Sequence, residues 1–150
     1  MEDCSPLWAG AIASHLSWLH AVETKAFRII GISRGEAESL GLSLSHRRQV
    51  GGLSVFFCVL NGLAPSALSA ICPHQISAGC SRSANNPLLV KLPKSRITAH
   101  LHSFIPLFPH LWNKLPHSVQ SHSSLQAFKT DVHHHLLSCP IQILDLFYPR

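Results

Sequence analysis

A chain of 150 residues, 46% of them hydrophobic, has room for one domain with a core, burying roughly 70% of its unfolded surface. Charged residues make up only 13%, against about 25% in an ordinary soluble domain, so Ser, His, Asn, Gln and exposed apolar groups must build the surface. With 12 Lys+Arg over 7 Asp+Glu the net charge is +5, and the composition excludes a collagen, a coiled coil and an acidic disordered tail.

In chain order, Ile12, Leu16, Leu19, Ala26, Phe27 and Ile30 form an apolar stripe that predicts a first helix over residues 7–30, with Gly31 placed to terminate it. Residues 31–44 read as a loop. A second helix is expected from Ser45, whose hydroxyl can cap it, through Val50, Leu53, Phe56, Phe57 and Leu60 to Asn61-Gly62. Its Gly51-Gly52 pair costs about 1 kcal/mol per glycine relative to alanine. Either another backbone approaches closely there, or the helix is weak.

Residues 50–72 carry no formal charge, yet Gly51, Gly52, Asn61 and Pro65 interrupt them and only 53–60 are strongly apolar. That is a buried helix rather than a membrane span. A short helical turn is expected over 65–71 and a surface loop over 72–87, where Ser, Gly and Asn are prominent. Two extended runs follow, 88–92 and 96–104. In the second, Ile97, Ala99 and Leu101 alternate with Thr98, His100 and His102, so Pro93-Lys94-Ser95 is placed to turn a hairpin. The last helix starts at Ser123, where Ser123-Ser124-Leu125-Gln126 fits a capping box, continues through Leu125, Phe128, Val132 and Leu136, and is closed by Pro140. The expected fold class is mainly α with a small β hairpin.

The seven acids are Glu2, Asp3, Glu23, Glu36, Glu38, Asp131 and Asp145, so residues 39–130 hold none. The same stretch carries Arg47, Arg48, Arg82, Lys91, Lys94, Arg96, Lys114 and Lys129. Such a charge distribution favours a polyanion, and nucleic acid is the commonest one. Arg47 and Arg48 open a helix, an unfavourable place for cations in the field of the helix dipole, and a phosphate bound there would account for them. Two solvated side chains at a helix end would account for them too.

Five scattered cysteines, at 4, 58, 72, 80 and 139, make no disulfide framework, and Met1-Glu2-Asp3 has the wrong sign to open a secretory signal. An intracellular protein of nucleus or cytoplasm is expected, not secreted and with no membrane partner.

Three constellations compete for a chemical role. Gly31-Ile32-Ser33-Arg34-Gly35 matches a nucleophile elbow with Asp131 and His133 downstream, the basis for a small serine hydrolase using Ser33. About thirty residues before Ser33 are too few for such a fold, and a helix cap at Gly31 explains the same residues. Cys72, His74 and Cys80, with His100 or His102, lack the paired two-residue spacing of a zinc site, so no metal or other cofactor is expected. His133, His134 and His135 point about 100° apart on a helix and cannot converge on one ion; His135 is placed to meet Asp131 one turn back.

Cys4-Ser5-Pro6-Leu7-Trp8-Ala9-Gly10, Lys25-Ala26-Phe27-Arg28-Ile29-Ile30-Gly31, His46-Arg47-Arg48, Ser103-Phe104-Ile105-Pro106, Leu111-Trp112-Asn113-Lys114-Leu115-Pro116 and Phe128-Lys129 occur in one order. This series resembles the carboxy-terminal region of the reverse transcriptases of jockey-like non-LTR retrotransposons, over residues 1–138, with 139–150 an unassigned tail. The resemblance implies a thumb-like helical fragment plus a trailing segment, lying after the catalytic palm. Polymerase chemistry needs paired aspartates holding two metal ions, and no Asp-Asp pair occurs here, so no enzyme is expected. What it implies instead is non-catalytic binding of RNA or an RNA–DNA duplex through Arg47, Arg48, Lys91, Lys94, Arg96 and Lys114, beside a parent polymerase core if one is present. The alternative is a decayed reading frame with no independent function. Trp8, Phe104, Leu111, Trp112, Asn113, Leu115, Pro116 and Phe128 form the structural motif, with Trp112 a packing anchor and Asn113 bonding local backbone near Pro116.

Overall fold

A computed structural model describes residues 11, 13–75, 87–94 and 97–139. Trp8, Cys80, Arg82, Arg96 and the tail beyond Cys139 lie outside the described residues, as does the first part of the expected first helix. The described chain is mainly helical: α1 (Ala13–Ile30), α2 (Arg34–Ser39), α3 (Leu44–Leu60), α4 (Ser66–Ile71), α5 (Thr98–Leu101), α6 (Phe104–Lys114), α7 (His117–Gln120) and α8 (Leu125–Ser138).

The core forms where α3, α6 and α8 meet. Leu53, Phe56 and Phe57 of α3 pack with Leu107, Phe108, Leu111 and Trp112 of α6 and with Phe128, Val132 and Leu136 of α8. About 4.5 to 7 Å separates the centroids of aromatic rings that pack in preferred geometries. Phe56 meets Trp112 edge-on at 5.8 Å, and Phe57 stacks on Phe128 at 4.5 Å. Gly52 resolves the question its helix raised: a Cβ there would enter the Phe108 ring, so the glycine admits a side chain rather than another backbone. Helix α3 gives up propensity and gains close packing.

Helix ends follow local chemistry. Gly31, Gly41 and Gly62 adopt φ of 80°, 67° and 69°, and the next residue donates to a carbonyl in the helix's last turn: Ile32 to Phe27, Leu42 to Ala37 and Leu63 to Cys58. A side chain would strain that left-handed turn, hence glycine. The expected loop over 31–44 contains α2, started by a reciprocal capping box in which Ser33 Oγ accepts from Glu36 N–H and Glu36 accepts from Ser33 N–H. The Ser33 hydroxyl, and after it the Ser33 N–H, hold the Glu36 carboxyl below its ordinary range. Ser43, not Ser45, caps α3, because the chain leaves Gly41 extended at Ser43 and its Oγ accepts from His46 N–H. Ser124, not Ser123, precedes α8, without a side-chain capping bond.

The hairpin does not form among the described residues. Leu101 N–H bonds the Ile97 carbonyl and the second run is the helical turn α5, with Ile97 68% exposed. Alternation over 97–102 carries little weight when one of its faces has no core to meet. The first run does extend, and Val90 makes an antiparallel bridge with Gln75.

Candidate nucleic-acid interface

The signature around Trp112 is a clamp on the extended segment. Trp112 is 1% exposed, and its Nε1–H donates to the Leu88 carbonyl at 2.9 Å. Asn113 accepts from Val90 N–H at 2.9 Å and donates to the Val90 carbonyl at 2.8 Å. Lys91 N–H bonds the His74 carbonyl on the opposite side, so Val90's own polar groups face away from Gln75, and Asn113 takes both. The expected bond from Asn113 to backbone near Pro116 is therefore replaced by a long-range one. A side-chain amide serves where a second strand would have served, which is a physical reason that no hairpin is needed. Buried Gln120 completes the clamp by donating to the Trp112 carbonyl at 2.6 Å. Leu111, Leu115 and Phe128 lie in the same core, Phe104 packs on its edge, and Pro116 starts α7.

The clamp places Lys91 and Lys94 over an open groove of about 910 Å³ between residues 70–75 and 91–94, with Ile105 at its side. Both lysines and His74 are exposed on its rim, and no acid is among the residues that line it. Ile71, Pro73, Leu92 and Pro93 give it apolar walls. Cys72 lies inside, buried, and burial pushes its thiol up, away from the reactive thiolate. Lys114, also exposed, follows Asn113 as Lys91 follows Val90, so the clamp brings their stretches of backbone together.

Arg47 and Arg48 occupy a different place. The start of α3, where a phosphate was expected, receives the carboxylate of Glu23 from α1: Leu44 N–H donates to Glu23 Oε1 at 2.6 Å. Glu23 Oε2 lies 3.1 Å from His20 Nδ1, and the Glu23 side chain is 10% exposed. Arg48 is half-buried, bonds back to the Leu44 carbonyl at 3.0 Å, and is drawn down by burial while Glu23 draws it up. The chain's own carboxylate thus takes the anion position at the helix dipole. Of the six cations expected to bind nucleic acid, the structure brings Lys91 and Lys94 to one groove, leaves Arg47 and Lys114 exposed, and half-buries Arg48, whose Nε bonds the Leu44 carbonyl.

No hydrolase triad assembles among the described residues. Ser33 Oγ is a helix cap, His133 Nδ1 bonds His46 Nε2 at 2.9 Å, and Asp131 bonds His122 at 2.6 Å rather than His135. The His46 and His133 rings meet edge-on, with Gly41 against them so closely that a Cβ would lie 2.6 Å from His133. Burial, then the neighbouring His133, lowers the His46 pKa. Among the described residues no three metal-ligating side chains gather, and no helix is long and apolar enough to cross a membrane.

Sequence reasoning missed Glu23 as an internal anion and His74 as a rim residue of the groove. The first had a faint signal, an isolated acid amid the first helix's half-buried face; the second had none, because residues 74 and 91 are remote in sequence and meet through the bridge between Gln75 and Val90. No family model, curated protein or solved structure matches this chain.

Proposed function

We propose that the chain is a non-catalytic nucleic-acid-binding fragment of a retroelement reverse transcriptase, gripping RNA or an RNA–DNA duplex through backbone phosphates. The observation that carries the reading is the groove rimmed by Lys91, Lys94 and His74 with no acid in its lining, inside a stretch of 92 residues (39–130) free of acids. Phosphates are attracted to such a surface whatever the sequence, and binding releases condensed counterions. Lys114 extends the positive surface beyond the clamp. Arg47 contributes from α3, while Arg48 is half-buried and bonded to the Leu44 carbonyl. The resemblance around Trp112 supports the ancestry, and the absence of any Asp-Asp pair from this sequence supports grip without polymerisation.

Titrating purified protein into labelled RNA at several salt concentrations tests this. Log affinity should fall linearly with log salt, with a slope near −0.7 per phosphate contact on a single strand and about −0.9 on a B-form DNA duplex. Lys91→Gln with Lys94→Gln should flatten that slope by roughly two contacts. Binding that ignores salt would refute the reading.

The apolar face of α1 favours a second reading. Trp18 is 77% exposed, Val22 50% and Ile29 86%, one face of a helix that covers nothing among the described residues. On this reading the face once covered a polymerase core, and the chain is a relic without independent function. Aggregation of purified protein without salt-dependent RNA binding would favour the relic.

A further inference from the structure

We infer that the groove between residues 70–75 and 91–94 receives an unpaired nucleotide, its base against the apolar walls and its phosphate on the lysine rim. This rests on the nucleic-acid reading above and deepens it from backbone grip to selection of single-stranded over double-stranded RNA.

Two features of the groove act together. The first is charge: Lys91 and Lys94 stand on one wall, His74 opposite, and nothing acidic lines the space. That suits an anion but does not distinguish strand states. The second is the interior. Ile71 and Pro73 on one side and Leu92 and Pro93 on the other form apolar walls, with Ile105 beside them, and the volume of about 910 Å³ lies within the range of sites for small organic molecules. Ile71 is 58% exposed and Leu92 40%, so the walls present apolar surface to whatever enters. A paired base hides its faces in the helical stack and cannot insert without unstacking. An unpaired base offers both faces, and proteins hold such bases between aromatic or apolar side chains. Inorganic phosphate would satisfy the rim and leave the walls wet. A purely apolar ligand would satisfy the walls and leave the lysines unused. A nucleotide within a single strand matches both, since each base is followed by a phosphate.

The walls are also held apart from behind. Asn113 fixes Val90 from one side and the His74 carbonyl fixes Lys91 from the other, so residues 91–94 leave a tethered point. Less ordering is then left to be done by the ligand.

The test compares a short fluorescein-labelled single-stranded RNA with a blunt RNA duplex of the same length, using the full chain at the same series of salt concentrations for both. Single-stranded RNA should bind about threefold to tenfold more tightly, aliphatic walls holding a base less strongly than the aromatic rings whose stacking is worth roughly tenfold or more. Ile71→Ser with Leu92→Ser removes apolar wall without altering charge, and both positions are exposed enough for the fold to persist, as circular dichroism would verify. In that variant the preference should vanish while the duplex affinity and its salt slope stay unchanged. Equal affinity of the parent protein for both RNAs, with the salt slope intact, would overturn the base site and leave backbone binding standing. Preference that survives in the doubly substituted protein would overturn it as well. Absence of salt-dependent binding to either RNA would remove the nucleic-acid reading and this inference together.

Discussion

The α3–α6–α8 core and the α1–α2 arm are both helical, yet different forces hold them. In the core, Phe56, Phe57, Phe108, Trp112 and Phe128 are almost wholly buried against one another. The arm leaves Trp18 and Ile29 largely exposed, buries Ala37, and joins α3 through Glu23 and the Leu44 N–H. The lesson is that the two regions lean on burial to different degrees: caps and glycine termini bound α2 and end α1, whose packing is limited to a half-buried face and Ala37, while apolar area fixes the core.

The strongest way to break the contrast is truncation. Trp112→Ala or Phe128→Ala should cost about 3–5 kcal/mol in urea unfolding, against about 0.5 kcal/mol or less for Trp18→Ala. A large loss from Trp18→Ala would place α1 in the core. Gly52→Ala should cost about 1–3 kcal/mol despite alanine's better helix propensity, because the added methyl enters the Phe108 ring; a gain in stability would mean that the ring yields freely. Asn113→Leu keeps size but abandons both polar groups of Val90, for about 1–3 kcal/mol, and should also lower RNA affinity by loosening Lys91. Glu23→Gln preserves an acceptor for Leu44 N–H and removes the charge at the helix start, an effect of about 0.5–1 kcal/mol that circular dichroism of thermal unfolding can read.

The smallest effect is pH-dependent. His46 is lowered by burial and then by His133, and His110 by burial and then by Lys114. A histidine with a depressed folded pKa takes up its proton more readily when unfolded, so each group's stability contribution is intact above the unfolded value near 6.5 and is lost as pH falls below it. His46→Gln should flatten the decline of stability between neutral and acidic pH, measured by urea unfolding across that range.

The core was legible because Leu53, Phe56 and Phe57 on one helix and Phe128, Val132 and Leu136 on another recur with helical period, and Gly31 and Gly62 mark real helix ends. The hairpin was misread because two-residue alternation over 97–102 reports sidedness only when a sheet exists to impose it. Lys91 and Lys94 were legible as a pair of cations but not as a groove, since the opposite wall at 70–75 is remote in sequence. The Arg47-Arg48 pair suggested an anion at the start of α3, and the anion found at the Leu44 N–H is the Glu23 carboxylate, which comes from another helix. Charge runs show where an anion is wanted, and only the fold shows whether the chain supplies it.

Asn113 has one consequence that a strand partner would not have had. Successive residues of an extended chain turn their N–H and C=O groups to opposite sides, so a slip of one position would offer Leu89 or Lys91 with its polar groups facing the wrong way. A single amide on a rigid helix therefore sets the register of the whole wall, and with it which side chain stands at the groove's rim. Moving that amide by one helical position would not weaken the wall so much as rewrite it.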